Sequence, residues 1–197
     1  MRGAAEVVFR LGVAGMSVER VRAASGASRS QVYRYFPAKQ ALIDAVVDFQ
    51  IAAMLARQRS LLAGVGSLGD LQEWADGVVE SNRARKGARG CPLGSLVSQL
   101  AEQSGAMRAK LEDAFQTWQS YLAAGLRRMQ DRGALNAEAD VAGLATGVVA
   151  ALQGGLILAP AARSEKPLRA GLDLAVGRVA LAAPLPTWHA RADSESG

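Results

Sequence analysis

Three consecutive side chains, Arg29, Ser30 and Gln31, are the part of this sequence best suited to reading a nucleic acid. An arginine fork pairs with the O6 and N7 of guanine, a glutamine amide pairs with the N6 and N7 of adenine, and a serine hydroxyl fits either base. Close behind come Tyr33, Arg34 and Lys39, whose hydroxyl and cationic groups suit phosphate oxygens. Contacts of that kind fix position without reading sequence. Such a cluster becomes a reader only at the start of a short helix that can enter a groove about 12 Å wide. The plainer alternative is a solvated helix pair with a basic face.

The flanking residues supply such a helix. Ser17 is an N-cap and Glu19 puts a negative charge in the first turn of the helix it opens. Val18, Val21 and Ala24 make one small apolar face, and Gly26 supplies the left-handed position that turns the chain. Ser28 caps the second helix, in which Val32 and then Tyr35 and Phe36 face inward, and Pro37 stops it. Residues 28–36 thus form the second helix of a helix-turn-helix, and Lys39 opens the helix after it. A preceding helix over 3–14 places Ala4, Val7, Val8 and Leu11 at helical spacing, adds Phe9 to the three-helix core, and closes at Gly12 and Gly15.

The run GASRSQVYRYFPAKQALIDAV resembles the DNA-binding segment of the tetracycline-repressor (TetR/AcrR) family of transcriptional regulators, with Gly26, Ser28, Tyr33, Phe36, Lys39 and Leu42 in the family's places. The resemblance covers residues 4–48. It implies base reading by Arg29, Ser30 and Gln31 and phosphate contacts by Ser17, Ser28, Tyr33, Tyr35 and Lys39. Arg34 departs from the family's usual aromatic, and Tyr35 from its frequent histidine. The string GCPLGSL at 90–96 is similar to a signature of the LmrA/YxaF-like branch, whose members are mostly repressors relieved by small molecules.

Charge distribution agrees with a DNA-binding N-terminal part. Residues 1–60 hold 9 Lys/Arg against 4 Asp/Glu, while residues 61–197 hold 14 of each, so the whole net charge of +5 lies on the helix-turn-helix side. The 197 residues are 50% hydrophobic but 5% aromatic, with Ala and Leu dominant, which favours an all-α protein. The expected domains are a DNA-binding unit over 1–48, an effector-binding and dimerisation unit over 49–183, and a flexible tail over 184–197. A single Cys excludes an internal disulfide and suits a reducing cytoplasm, and the start of the chain does not read as a secretory signal. One His, one Cys, no phosphate-cradling glycine loop and no acid cluster with metal spacing argue against an enzyme. Neither catalytic residue, metal nor cofactor is expected.

The rest of the chain reads as packed helices. One over 38–62, with Ile43, Val46, Val47, Ile51, Met54 and Leu55, is shared by both domains and links them mechanically. After a loop at 64–70, a helix over 70–85 turns Leu71, Trp74, Val78 and Val79 inward. The basic block at 83–90 reads as a solvated connection. A helix beginning at Gly94 and Ser95 then buries Leu96, Val97 and Leu100. Cys91 reads as a buried structural thiol, and His189 as a residue of the tail without function. The helix over 105–132 carries an apolar stripe of Met107, Leu111, Phe115, Trp118, Tyr121, Leu122 and Met129, residue types that form plain core or wall a pocket for apolar and aromatic ligands. By the family resemblance this helix walls the effector cavity. The expected pocket is Met54, Trp74, Val78, Leu100, Phe115, Trp118, Tyr121 and Leu122.

Residues 141–162 contain no charged side chain and have the length of a membrane span. They are rich in Ala and Gly, include Thr146 and Gln153, and lack aromatic belts, which favours a dimer interface over a membrane. Gly143, Gly147, Ala151 and Gly155 recur every four residues and are the expected subunit contact, with a partner helix over 167–183. The function expected is a homodimeric repressor, released from a palindromic operator by a small apolar or aromatic effector. A dimeric regulator without a ligand is the alternative.

Overall fold

Nine helices and no strand make up the described chain, residues 1–85, 87 and 90–184 of a computed structural model. They are α1 (Arg2–Leu11), α2 (Val18–Ser25), α3 (Arg29–Tyr35), α4 (Lys39–Leu62), α5 (Leu68–Arg83), α6 (Pro92–Leu100), α7 (Gly105–Asp131), α8 (Val141–Ala162) and α9 (Lys166–Ala180). The expected tail from residue 185 onward, with His189, lies outside the described residues, as do Lys86 and Arg89 of the basic block.

Local chemistry sets the first three helices. The Ser17 hydroxyl accepts from the Arg20 amide at 3.3 Å to start α2, and Gly26, at φ 71°, ends it. A capping box opens α3, where Ser28 Oγ accepts from the Gln31 amide at 3.2 Å and Gln31 Oε1 accepts from the Ser28 amide at 2.7 Å. Val8, Met16, Val21, Leu42 and Val46 are buried in a core that α1 and α2 share with the first turns of α4, and Val32 of α3 is buried as well. Tyr35 corrects the expectation of an inward side chain, since it is 67% exposed. The helix ends there, and Phe36 leaves it at φ −132°, ψ 84°, taking the inward place against the core.

α4 joins this unit to the rest. Gln50, buried on α4, donates its amide to the Ala5 carbonyl of α1 at 2.9 Å. At the far end, Arg128 of α7 donates to the Leu62 and Val65 carbonyls at 3.1 and 2.8 Å, satisfying acceptors that a helix terminus leaves open. Two further links cross between the N-terminal helices and the remainder. Val13, just past α1, donates its amide to Gln99 Oε1 of α6 at 2.7 Å, and Lys110 of α7 pairs with Asp48 of α4 at 2.7 Å.

α6 starts two residues before the expected Gly94, with Pro92 in its first turn, where a missing N–H is not needed. Leu111, Trp118, Leu122 and Leu126 of α7 are buried together with Leu144, Val148 and Leu152 of α8 and Leu168, Leu172 and Val176 of α9. α8 is long and apolar enough to cross a membrane by length and composition, with mean hydropathy 1.9 over its best window. Its buried side chains instead serve the packing between α7 and α9. Asp76 and Glu165 pair with Arg169 and Arg83, tying α5 to α9 and its N-terminal end.

Candidate nucleic-acid interface and ligand cleft

The side chains of the first helices build one polar face. Ser28, Arg29, Ser30, Gln31, Tyr33, Arg34, Tyr35 and Lys39 are exposed, and Ser17 is half-buried beneath its cap. The Arg29 guanidinium lies 5.5 Å from the Tyr33 ring centroid, and Arg34 lies 5.0 Å from that of Tyr35 while donating to its hydroxyl at 3.2 Å. These pairs restrict long cationic side chains on the surface of α3. Glu19 is held below the usual carboxylate range by its own backbone N–H and the Ser17 hydroxyl first, and then by the charges of Arg29 and Arg22. Gln31 turns its carbonyl oxygen back to the Ser28 amide, and the Ser28 and Ser30 hydroxyls meet at 3.0 Å. Bidentate use of Gln31 on adenine would therefore break the capping box. Lys39 opens α4, whose N-cap, Ala38, contributes no side-chain hydrogen bond, so the first amides of that helix remain open to an anion.

A cleft of about 770 Å³ lies behind this unit. Met54, Trp74, Val78 and Trp118 of the expected pocket line it, together with Phe49 and Arg57 of α4, Gly77 of α5, Cys91 and Pro92 at the start of α6, and Leu156 of α8. Four expected residues do not. Leu100 and Leu122 are fully buried in the core, and Phe115 and Tyr121 pack half-buried against it. An apolar stripe at helical spacing marks the buried face of a helix, and core and cavity wall look alike in it. Unforeseen in the sequence is the wall contributed by α1, through Arg2, Ala5, Glu6 and Phe9. Phe9, expected in the three-helix core, faces this cleft instead. No local signal marks such a wall, because it arises from how α1 packs on α4. The rim charges balance, with Arg2, Arg57 and Arg85 against Glu6, Asp70 and Glu73. Burial pushes the Cys91 thiol up, which keeps it protonated and a poor nucleophile.

On α8, Gly143 and Gly147 are exposed, and a Cβ added at Gly147 would meet nothing within 4 Å. Ala151 is half-buried, its carbonyl 3.0 Å from where a Cβ on Gly171 of α9 would stand. Gly155 corrects the expected stripe, because its own Cβ would lie 2.5 Å from Leu168 Cα of the same chain. Each four-residue step turns about 40° around a helix, so three steps carry Gly155 about 120° away from Gly143. The open side of this helix pair shows Ile157, Leu158, Leu174 and Leu181, the last two about 80% exposed.

Residues 68–172 match the family model described as transcriptional regulator LmrA/YxaF-like, C-terminal domain, and residues 1–46 match that of bacterial regulatory proteins, tetR family. The chain belongs to the TetR family. It is a transcriptional regulator with a DNA-binding domain of the helix-turn-helix type, and its family and fold are those of regulators rather than enzymes. This TetR-family chain is 27% identical over 174 residues, 86% of its length and 85% of the relative's, to an uncharacterized HTH-type transcriptional regulator from Lactococcus lactis subsp. lactis. Solved structures share the fold. The regulatory protein TetR from Rhodobacter sphaeroides superposes with a TM-score of 0.76 at 23% identity, covering 89% of this chain and 94% of that one. Reduced NemR from E. coli gives 0.76 at 19%, covering 94% and 96%. A cysteine mutant of the TetR-family regulator CifR, complexed with 26bp double-strand operator DNA, gives 0.71 at 22%, covering 89% and 93%.

Proposed function

We propose that this regulator is a homodimeric repressor that holds a pseudo-palindromic operator through α3 and lets go when an apolar or aromatic effector occupies the cleft. The observation that carries the proposal is the composition of the cleft wall, in which Trp74 and Trp118 line one cleft together with residues of α1 and α4. A ligand there touches both proposed domains, residues 1–48 and 49–183, so it has a direct means of binding one arrangement of them better than another. Only that difference in affinity can shift the equilibrium. In the DNA-bound arrangement Arg29 and Ser30 read bases, with Gln31 joining only if its cap opens. Ser17, Ser28, Tyr33, Arg34, Tyr35 and Lys39 hold phosphates. Two copies joined through the open side of α8 and α9 set the α3 helices about 34 Å apart, or a multiple of it, to match successive turns of DNA. The operator complex of CifR supports this use of the shared fold. As a DNA-binding regulator of a bacterial family, it acts in the cytoplasm.

Thermal melting of the full chain against a library of apolar compounds tests the effector half of the proposal. A compound at about 100 times its dissociation constant raises the melting temperature by roughly 5–10 °C and releases operator DNA. Gly77→Phe places a ring in the cleft from α5, at a position where an added Cβ meets nothing within 4 Å. It should abolish both responses while operator binding persists. A compound that still shifts and releases Gly77→Phe acts somewhere else, and a library without any such compound favours a regulator that needs no ligand.

A further inference from the structure

Trp118 is 2% exposed, lines the cleft, and has an indole Nε1–H without a hydrogen-bond partner. A buried donor left unpaired is uncommon because it gives up its bond to water and gains nothing in return. The other tryptophan in the cleft wall, Trp74, shows the ordinary solution: its Nε1 donates to Gln58 Oε1 at 3.4 Å. The stacked Phe115 ring, 6.1 Å away and inclined by 20°, packs with the Trp118 ring. The balanced rim charges give no advantage to a cation or an anion. The half-buried, flexible Met54 in the same wall can adjust as a ligand approaches the indole.

We propose that the cleft takes an uncharged aromatic ligand carrying a carbonyl or ether oxygen, and that Trp118 Nε1 is the donor that recognises this oxygen. The inference rests on the cleft being the effector site. It assigns the aromatic wall to affinity and the indole N–H to selection. A site built to hydrogen-bond a ligand discriminates strongly against the analogue that lacks the bonding atom, because the buried group is then left unpaired.

A matched pair tests this: 9-fluorenone, which has a carbonyl oxygen, and fluorene, which has the same rings and none. Calorimetric titration of the full-length protein should show 9-fluorenone binding at least tenfold more tightly. Trp118→Phe keeps an aromatic ring against Phe115 and removes the donor. It should bring the ratio close to one while leaving fluorene affinity within about threefold. If that variant does not fold, indole ¹⁵N–¹H spectra of the wild-type protein decide the matter, with resonances assigned through Trp74→Phe and Trp188→Phe. The Trp118 Nε1–H resonance should move downfield with 9-fluorenone, as a new hydrogen bond requires, and show only a ring-current shift with fluorene. Equal binding of the two compounds, blocked by Gly77→Phe, overturns the role of Trp118 and leaves the cleft as a ligand site. A preference for 9-fluorenone that survives in Trp118→Phe, or the same Trp118 shift with both compounds, also overturns it. If neither compound binds at millimolar concentration, the cleft fails as a site for such ligands and the inference fails with it.

Discussion

Arg29→Ala loses ~1–3 kcal/mol of discrimination at one base pair in each operator half-site, whereas Lys39→Ala weakens operator and random duplex alike. The difference follows from where the two cations stand. Arg29 begins α3, exposed and steadied by the Tyr33 ring 5.5 Å from its guanidinium. Its planar fork matches the two acceptors of guanine in the major groove. Lys39 begins α4, beside amides that no side chain caps, which is where a phosphate gains from both the helix dipole and a point charge. Lys39→Ala should therefore flatten the dependence of log K on log salt by about 0.9 per subunit, the value of one phosphate contact. The measurement is binding to the operator and its single-base variants across a salt series. Equal loss for every sequence in Arg29→Ala would make Arg29 another phosphate contact. Base reading would then pass to Ser30 and Arg34, since Gln31 is occupied by its cap.

Two glycines on one helix should fail in opposite ways. Gly147→Leu adds a side chain to open space in the single chain, so helicity and monomer packing should be unchanged. At a subunit contact the same leucine overpacks by ~1–3 kcal/mol, twice per dimer because the contact is repeated by symmetry. Gly155→Leu instead drives a side chain at the backbone of Leu168, where a Cβ alone would lie 2.5 Å from Cα. It should lower the melting temperature of the chain by several degrees whatever its oligomeric state, from a cost of the same ~1–3 kcal/mol. Sedimentation equilibrium and thermal melting of both variants separate the cases. A Gly147→Leu dimer of unchanged affinity would show that this side of α8 faces solvent, and the dimer would have to be sought at another surface.

The DNA-binding unit was legible because its signals are local. Ser17, Gly26 and Ser28 each act within four residues of themselves, and the structure uses all three as the sequence suggests. Tyr35 was misplaced because a seven-residue helix can end one residue before its apolar partner turns inward, which spacing alone does not reveal. The cleft was half legible. Trp74, Val78, Met54 and Trp118 could be named as large apolar side chains on facing helices, but so could Leu100 and Leu122, and only packing separates a wall from a core. The contribution of α1 could not be read at all, because Ala5 and Phe9 look like any residues of an amphipathic helix. Gly143 and Gly147 are exposed on α8, as a surface stripe requires, but a four-residue spacing does not stay on one face for three turns, and Gly155 is buried.

The amide of Val13 and the side chain of Gln99 have a mechanical consequence. A rigid body held at one point can tilt in any direction, whereas a body held at two can only swing about the line between them. The helix-turn-helix unit is held along α4, which continues from it without a break and carries the Asp48–Lys110 pair, and again, away from that helix, by the 2.7 Å bond from Val13 to Gln99. Cys91 and Pro92, at the opposite end of the helix that carries Gln99, belong to the cleft wall, so a ligand pressing there acts on the second support. A ligand-driven movement of the unit is then either a swing with one degree of freedom, which keeps the Val13 amide bonded, or a step that ruptures the bond and frees the other directions. Hydrogen exchange tells them apart at a single site, because only the second makes the Val13 amide exchange faster when ligand is added.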